Sequence, residues 1–294
     1  MNSYLIHRCL KQILVAFLLA ASWAVAWADP DFRTINLETG VKLRYVDTGP
    51  RNGQPIIFLH GATDSSHSWS MTTPFLSDSY RILALDQRGH GDSEKPPFGY
   101  NITQYADDVI AFMNKLRIQQ AVIVGHSMGS FIAHQVASAY PNRVSKLVLI
   151  GSAKTGVGNP VITSLWEDPV GLPSFQDPID PEFIRSWQTG PNPVDPVFFE
   201  KVLSETAKVP ALVWKGIFRM LLSDDHSYFL KAITAPVLVI WGDLDVIFSR
   251  ADQDALLAAL PPGAQLMVFS GAGHNTHWEQ PQAVALAIRT FLAP

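Results

Sequence analysis

The chain alternates between two kinds of hydrophobic pattern. Phe32 to Leu37 and Val41 to Asp47 are strand-like and joined by Glu38-Thr39-Gly40, which predicts an opening hairpin. Pro55 to Leu59, Arg81 to Leu85, Ala121 to Val124 and Val144 to Ile150 form further strands, most of them continuous apolar runs of the kind a strand covered on both faces shows. Between them, Tyr105, Val109, Phe112, Met113 and Leu116 recur on one helical face, with Thr103 as the expected N-cap. A second helical pattern follows Val124 and runs to Tyr140. Near the C-terminus, Pro236 to Trp241 reads as a strand, Ser249 to Leu260 as a helix, Gln265 to Phe269 as a strand and Pro281 to Leu292 as a closing helix. Such alternation predicts an α/β fold, a mostly parallel sheet with helices on both faces.

The pattern breaks between about Ala153 and Lys231. Prolines are frequent there, and so are aromatics, among them Trp166, Phe175, Phe183, Trp187, Trp214 and Phe218. Short helices are expected over Glu182 to Gln188, Pro196 to Glu205 and Ala211 to Leu222.

The first 28 residues form a separate unit. His7, Arg8 and Lys11 precede an apolar run, Ile13 to Ala28, and Ala26-Trp27-Ala28 offers small residues where a signal peptidase reads them. This is the pattern of a secretory signal cleaved after Ala28, with export to the periplasm or the exterior. The run is shorter than the roughly 20 residues that span a bilayer, so no stable membrane anchor is expected after cleavage. Removing Arg8 and Lys11 from the 22 basic residues leaves 20 against 26 acidic, a charge of −6. That balance, with no basic run, argues against nucleic acid as a partner. Cys9, the only cysteine, lies in the leader, so the exported part offers no thiol nucleophile and no disulfide. No Cys/His spacing of a metal site and no phosphate-cradling loop is present, and neither metal nor cofactor is expected.

Gly125-His126-Ser127-Met128-Gly129 follows a strand and opens a helix. A serine at such a sharp turn is lifted clear of the sheet, and glycines on both sides let strand and helix approach each other. Ser127 is therefore the candidate nucleophile. His60-Gly61 ends the strand Pro55 to Leu59, and the small, polar loop after it can turn backbone N–H groups toward a ligand. The amides of Ala62 and Met128 are the candidate oxyanion donors. A serine hydroxyl also needs a base, and the base needs a partner that fixes its tautomer. Candidates for the base are His274, after Gly271-Ala272-Gly273, and His277; candidates for the acid are Asp243 and Asp245. Asp86 and Arg88, in a turn-rich segment, are expected to pin that loop through an ion pair.

Taken together, His60-Gly61, Asp86-x-Arg88-Gly89-x-Gly91-x-Ser93, the elbow at Gly125 to Gly129, Gly242-Asp243-Leu244-Asp245 and Gly273-His274 resemble the α/β-hydrolase superfamily over nearly all of the mature chain. The resemblance is to the branch of small esterases, lactonases, cofactor-free haloperoxidases and carbon–carbon bond hydrolases. It implies a core over residues 29–152 and 232–294 and a helical cap over 153–231. It also implies a catalytic set of Ser127, His274 as base and Asp245, three residues after the glycine, as acid. Epoxide hydrolases and dehalogenases place an aspartate at the elbow, so Ser127 argues against those activities. Thr63 and Ser249 stand where the family often has proline. The implied function is hydrolysis of a small, largely apolar ester or lactone; the alternatives are carbon–carbon bond hydrolysis or perhydrolysis by the same residues, or a non-catalytic receptor.

Overall fold

The computed structural model describes residues 31–293; the expected signal sequence and Cys9 lie outside them. Eight strands form one sheet: β1 (Phe32–Asn36), β2 (Lys42–Thr48), β3 (Gln54–Leu59), β4 (Tyr80–Leu85), β5 (Ala121–His126), β6 (Val144–Ile150), β7 (Val237–Gly242) and β8 (Gln265–Phe269). Their order is β1-β2-β4-β3-β5-β6-β7-β8. The hairpin strand β2 runs antiparallel to both β1 and β4, and every other pairing is parallel. Parallel strands need crossovers, and α1 (Ile102–Lys115), α2 (Met128–Ala139) and α7 (Arg250–Ala259) lie in such connections; they pack on the sheet, as does α9 (Pro281–Leu292), which follows the last strand.

The apolar runs are continuous because both faces are buried. Ile57, Leu59, Leu83, Leu85, Ile123, Leu147 and Leu149 face one core with α1, α2 and α7. Their neighbours Ile56, Phe58, Ile82, Ala84, Val122, Val124, Val148 and Ile150 face the other, with α9. The period of two thus survives in the structure although both faces are apolar.

Helix starts show where local chemistry decides. Asn101, not Thr103, caps α1: its backbone is extended and its side chain accepts from the Gln104 N–H at 2.9 Å, leaving Thr103 inside the first turn. Ser249 precedes α7 and forms a reciprocal capping box with Asp252.

The segment between β6 and β7 holds α3 (Pro160–Leu165), α4 (Pro181–Gln188), α5 (Pro196–Thr206) and α6 (Ala211–Ser223). Asn159, Asp180 and Asp195 cap α3, α4 and α5, each followed by a proline at the first helical position. α3 runs into a π-helical turn over Trp166–Val170 and was not among the expected helices. A short helix, α8 (Thr276–Glu279), also lies between β8 and α9.

Candidate active site

The carboxyl ends of β3, β5, β7 and β8 deliver the residues singled out above, at the point where the strand order reverses on either side of β3. Ser127 links β5 to α2 with φ +50° and ψ −120°, a conformation that non-glycine residues rarely adopt. Its N–H donates to Ile150 O at 3.0 Å. A Cβ on Gly125 would lie 2.3 Å from Gly129 O, and one on Gly129 would lie 2.2 Å from Leu59 O. Strand, elbow and helix therefore meet at a separation only glycine allows, and Gly129 seats the elbow against the end of β3.

His274 Nδ1 lies 2.9 Å from Asp245 Oδ2, and the aspartate side chain is fully buried. The other carboxylate oxygen accepts from the N–H groups of Ile247 at 2.8 Å and Phe248 at 3.1 Å. With Nδ1–H donating to Asp245, Nε2 is left as the acceptor face of the ring. The ring is packed against Gly151, where a Cβ would come within 3.1 Å of Nδ1. Ser127 is hydrogen-bonded to Ile150, the residue before Gly151, so His274 and the elbow border the same turn of chain.

The loop after β3 is held by His60. Gln87 N–H donates to His60 Nε2 at 3.1 Å, which makes Nδ1 the protonated nitrogen, and Nδ1–H donates to Gly61 O at 2.8 Å. Desolvation pushes the pKa of this buried ring down to about 4, so it stays neutral. Gly61 O and the Ala62 N–H belong to one trans peptide, so fixing the first aims the second the opposite way. Among the described residues, neither the Ala62 N–H nor the Met128 N–H has a hydrogen-bond acceptor. Both are open donors, one on the loop and one at the N-terminus of α2.

The alternative residues are engaged elsewhere. Asp243 is exposed and accepts from the Gly271 N–H. His277 is buried against Trp69 at 4.5 Å between ring centres, with Nε2 3.1 Å from Ser68 Oγ. His126 points away from the elbow into the space between the rings of His274 and His277, and its Nε2 lies 3.1 Å from His274 O. Asp86 and Arg88 do form ion pairs, but not with each other. Asp86 takes Arg44 at 3.2 Å and Arg88 makes a two-pronged contact with Asp108 at 2.8 Å.

Several residues near the site have no role assigned by the sequence, where Thr63 stands out only as a departure from the family's proline. Thr63 is buried with φ +65°; its hydroxyl donates to Ala62 O at 2.6 Å and accepts from Trp187 Nε1–H at 2.8 Å. Asp64 is buried, accepting from Gln188 Nε2 at 3.1 Å and more weakly from Ser68 Oγ at 3.4 Å. Desolvation raises its pKa to about 7 against those two bonds and the charge of His274. Glu279 accepts from the Gly273 N–H, directly before His274, at 3.0 and 3.1 Å. Among the described residues, no group of three or more His, Cys, Asp or Glu side chains is arranged to hold a metal ion.

Residues 54–281 match the sequence profile of the alpha/beta hydrolase fold family. The chain belongs to the alpha/beta hydrolase family. Among curated relatives, this hydrolase is 39% identical to a non-heme chloroperoxidase of Streptomyces lividans over 284 residues, covering 88% of this chain and 99% of the relative. Among solved structures, a thermophilic esterase of Thermogutta terrifontis is 25% identical with a TM-score of 0.76, covering 89% of this chain and 98% of that one. The enol-lactonase of Burkholderia xenovorans LB400 superposes with a TM-score of 0.78 at 22% identity, over 88% of this chain and 99% of the other, a likeness of fold.

Proposed function

We propose that this alpha/beta hydrolase is a serine hydrolase that cleaves a small, uncharged, largely apolar carboxylic ester or lactone through an acyl-enzyme. The observation that carries this reading is the 2.9 Å contact between His274 Nδ1 and a buried, fully hydrogen-bonded Asp245, beside an elbow that offers Ser127. In this reading Ser127 Oγ attacks the acyl carbon as His274 Nε2 takes its proton, and the oxyanion rests on the N–H groups of Ala62 and Met128. The protonated His274 passes its proton to the departing alkoxide, and Asp245 stabilises the imidazolium in between. Water, deprotonated by the same nitrogen, then attacks the acyl-enzyme, and Ser127 leaves with its proton restored.

An apolar acyl group is supported by Trp187, which is packed on Trp214 and Phe218 at 5.7 Å and reaches the loop that bears Ala62. An anionic one is disfavoured by Asp64, a buried carboxyl near His274 that no lysine or arginine among the described residues compensates. In this reading residues 153–231 act as the cap over the site, and the leader exports the enzyme to the periplasm or exterior.

Turnover of p-nitrophenyl acetate and butyrate by the purified protein tests the proposal. A protein that binds such esters without turnover would instead be a receptor. A second reading, in which hydrogen peroxide replaces water and the acyl-enzyme yields a peracid, is favoured by the 39% identity to the chloroperoxidase. Peracid formation from acetate or an acetate ester in the presence of peroxide distinguishes it.

A further inference from the structure

Thr63 is β-branched, buried and left-handed, a combination that persists only where the surroundings hold it. What holds it comes from two directions. Its own hydroxyl proton goes to Ala62 O at 2.6 Å, and the hydroxyl oxygen receives the indole N–H of Trp187 at 2.8 Å. The next residue in each segment repeats the contact: Gln188 Nε2 donates to Asp64 Oδ1 at 3.1 Å and to Thr206 Oγ1 at 2.8 Å. Two successive residues at the end of α4 are thus bonded to the two residues that follow Ala62, and through Thr206 to α5 as well.

The same segment also reaches the loop that carries His274. Pro191 lies against Gly273, where a Cβ would meet its ring at 2.4 Å. Asn192 Nδ2 donates to Gly271 O at 2.6 Å and to the Glu279 carboxylate, which in turn receives the Gly273 N–H. Within six residues of the insertion, Trp187 and Gln188 thus touch the loop with the Ala62 donor, and Pro191 and Asn192 touch the loop with the base.

We propose that Trp187 to Asn192 is a brace that assembles the site, with Trp187 and Thr63 as positioning residues for the Ala62 N–H. The proposal deepens the serine hydrolase reading and rests on it for its kinetic consequence. The Trp187 N–H fixes the Thr63 hydroxyl, the hydroxyl fixes the Ala62 carbonyl, and His60 fixes the Gly61 carbonyl on the other side. With a carbonyl held on each flank, the Ala62 N–H cannot swing away from the elbow. Removal of the indole N–H leaves Thr63 in a conformation that its own bond alone must sustain, and the donor loses its fixed direction.

The test compares Trp187→Phe, which keeps an aromatic ring but removes the donor, with Thr63→Ser, which keeps the hydroxyl, and Thr63→Val, which does not. Steady-state kinetics with p-nitrophenyl butyrate are read beside hydrogen–deuterium exchange of the peptide containing Ala62 to Asp64. Trp187→Phe and Thr63→Val are each expected to lower kcat about ten- to hundredfold with KM little changed, and to quicken exchange in that peptide. Thr63→Ser is expected to restore most of both. The double variant Trp187→Phe/Thr63→Val should lose no more than Thr63→Val alone, since that single change already removes the indole bond together with the bond to Ala62 O. Unchanged exchange in Trp187→Phe, or a loss confined to KM, overturns the brace. If the wild-type protein itself shows no turnover, the hydrolase reading fails, and the exchange result alone still decides whether Trp187 holds this loop.

Discussion

The carboxylate of Asp245 is shared between His274 and the N–H groups of Ile247 and Phe248, so it stays fixed whatever the imidazole does. Asp243, two residues earlier, spends its carboxylate on Gly271 N–H at the surface. Asp245→Asn is therefore expected to lower kcat by about 10⁴, the cost of losing the tautomer that the acid enforces. Asp243→Asn should cost only a few-fold. Steady-state kinetics of the two variants check the ranking, and the reverse order would show that the acid is misassigned.

The elbow should tolerate loss of its hydroxyl far better than gain of a methyl group. Ser127→Ala should abolish turnover with little change in Tm. Gly129→Ala places a carbon 2.2 Å from Leu59 O, against backbone that cannot rotate away. It is expected to destabilise the fold by about 3 kcal/mol or more. Thermal unfolding of both variants separates the chemical role from the steric one.

Asp64 predicts a pH dependence of stability. Its pKa is raised from 3.8 to about 7 in the folded protein. A carboxyl raised on folding contributes stability that is present below its unfolded value and is lost as pH rises through the folded one. Asp64→Asn keeps an acceptor for Gln188 without the charge, so its stability relative to the wild type should rise between pH 5 and pH 8, by roughly 3 kcal/mol. Urea unfolding at the two pH values measures this. An advantage that stays constant with pH would mean that Asp64 does not titrate in this range.

Arg88 and Asp108 are both about 4% exposed and joined by two bonds of 2.8 Å. Removing one partner strands the other charge, so Arg88→Met should cost about 3–5 kcal/mol. Replacing the exposed pair Arg250 and Asp254 should cost less than about 1 kcal/mol. Chemical denaturation of the two variants gives the comparison.

What could be read from the sequence follows from which interactions are local. β6 and β8 begin and end where the sequence places them, although Ser145 and Lys146 interrupt the apolar run of the first and the second is an edge strand with Met267 and Val268 exposed. The elbow was legible because a strained turn between strand and helix demands glycine on both sides. The start of α1 was misplaced at Thr103, since Asn101 and Thr103 are both acceptable caps and only backbone geometry chooses between them. α3 was missed because six residues are too few for a helical repeat to show. Partner choice was the least legible. Arg88 has Asp86 two residues away and takes Asp108 instead, and Trp187 bonds to Thr63 across 124 positions that no periodicity links.

In the proposed reaction Ser127 owes its nucleophilicity to His274. Peptide mapping by mass spectrometry after brief exposure to a fluorophosphonate tests it most directly, with the wild type and His274→Ala run in parallel. A single adduct on Ser127, forming at least about a thousandfold more slowly in His274→Ala, is the expected result. An adduct on another residue, no adduct at all, or an undiminished rate without the imidazole would contradict it.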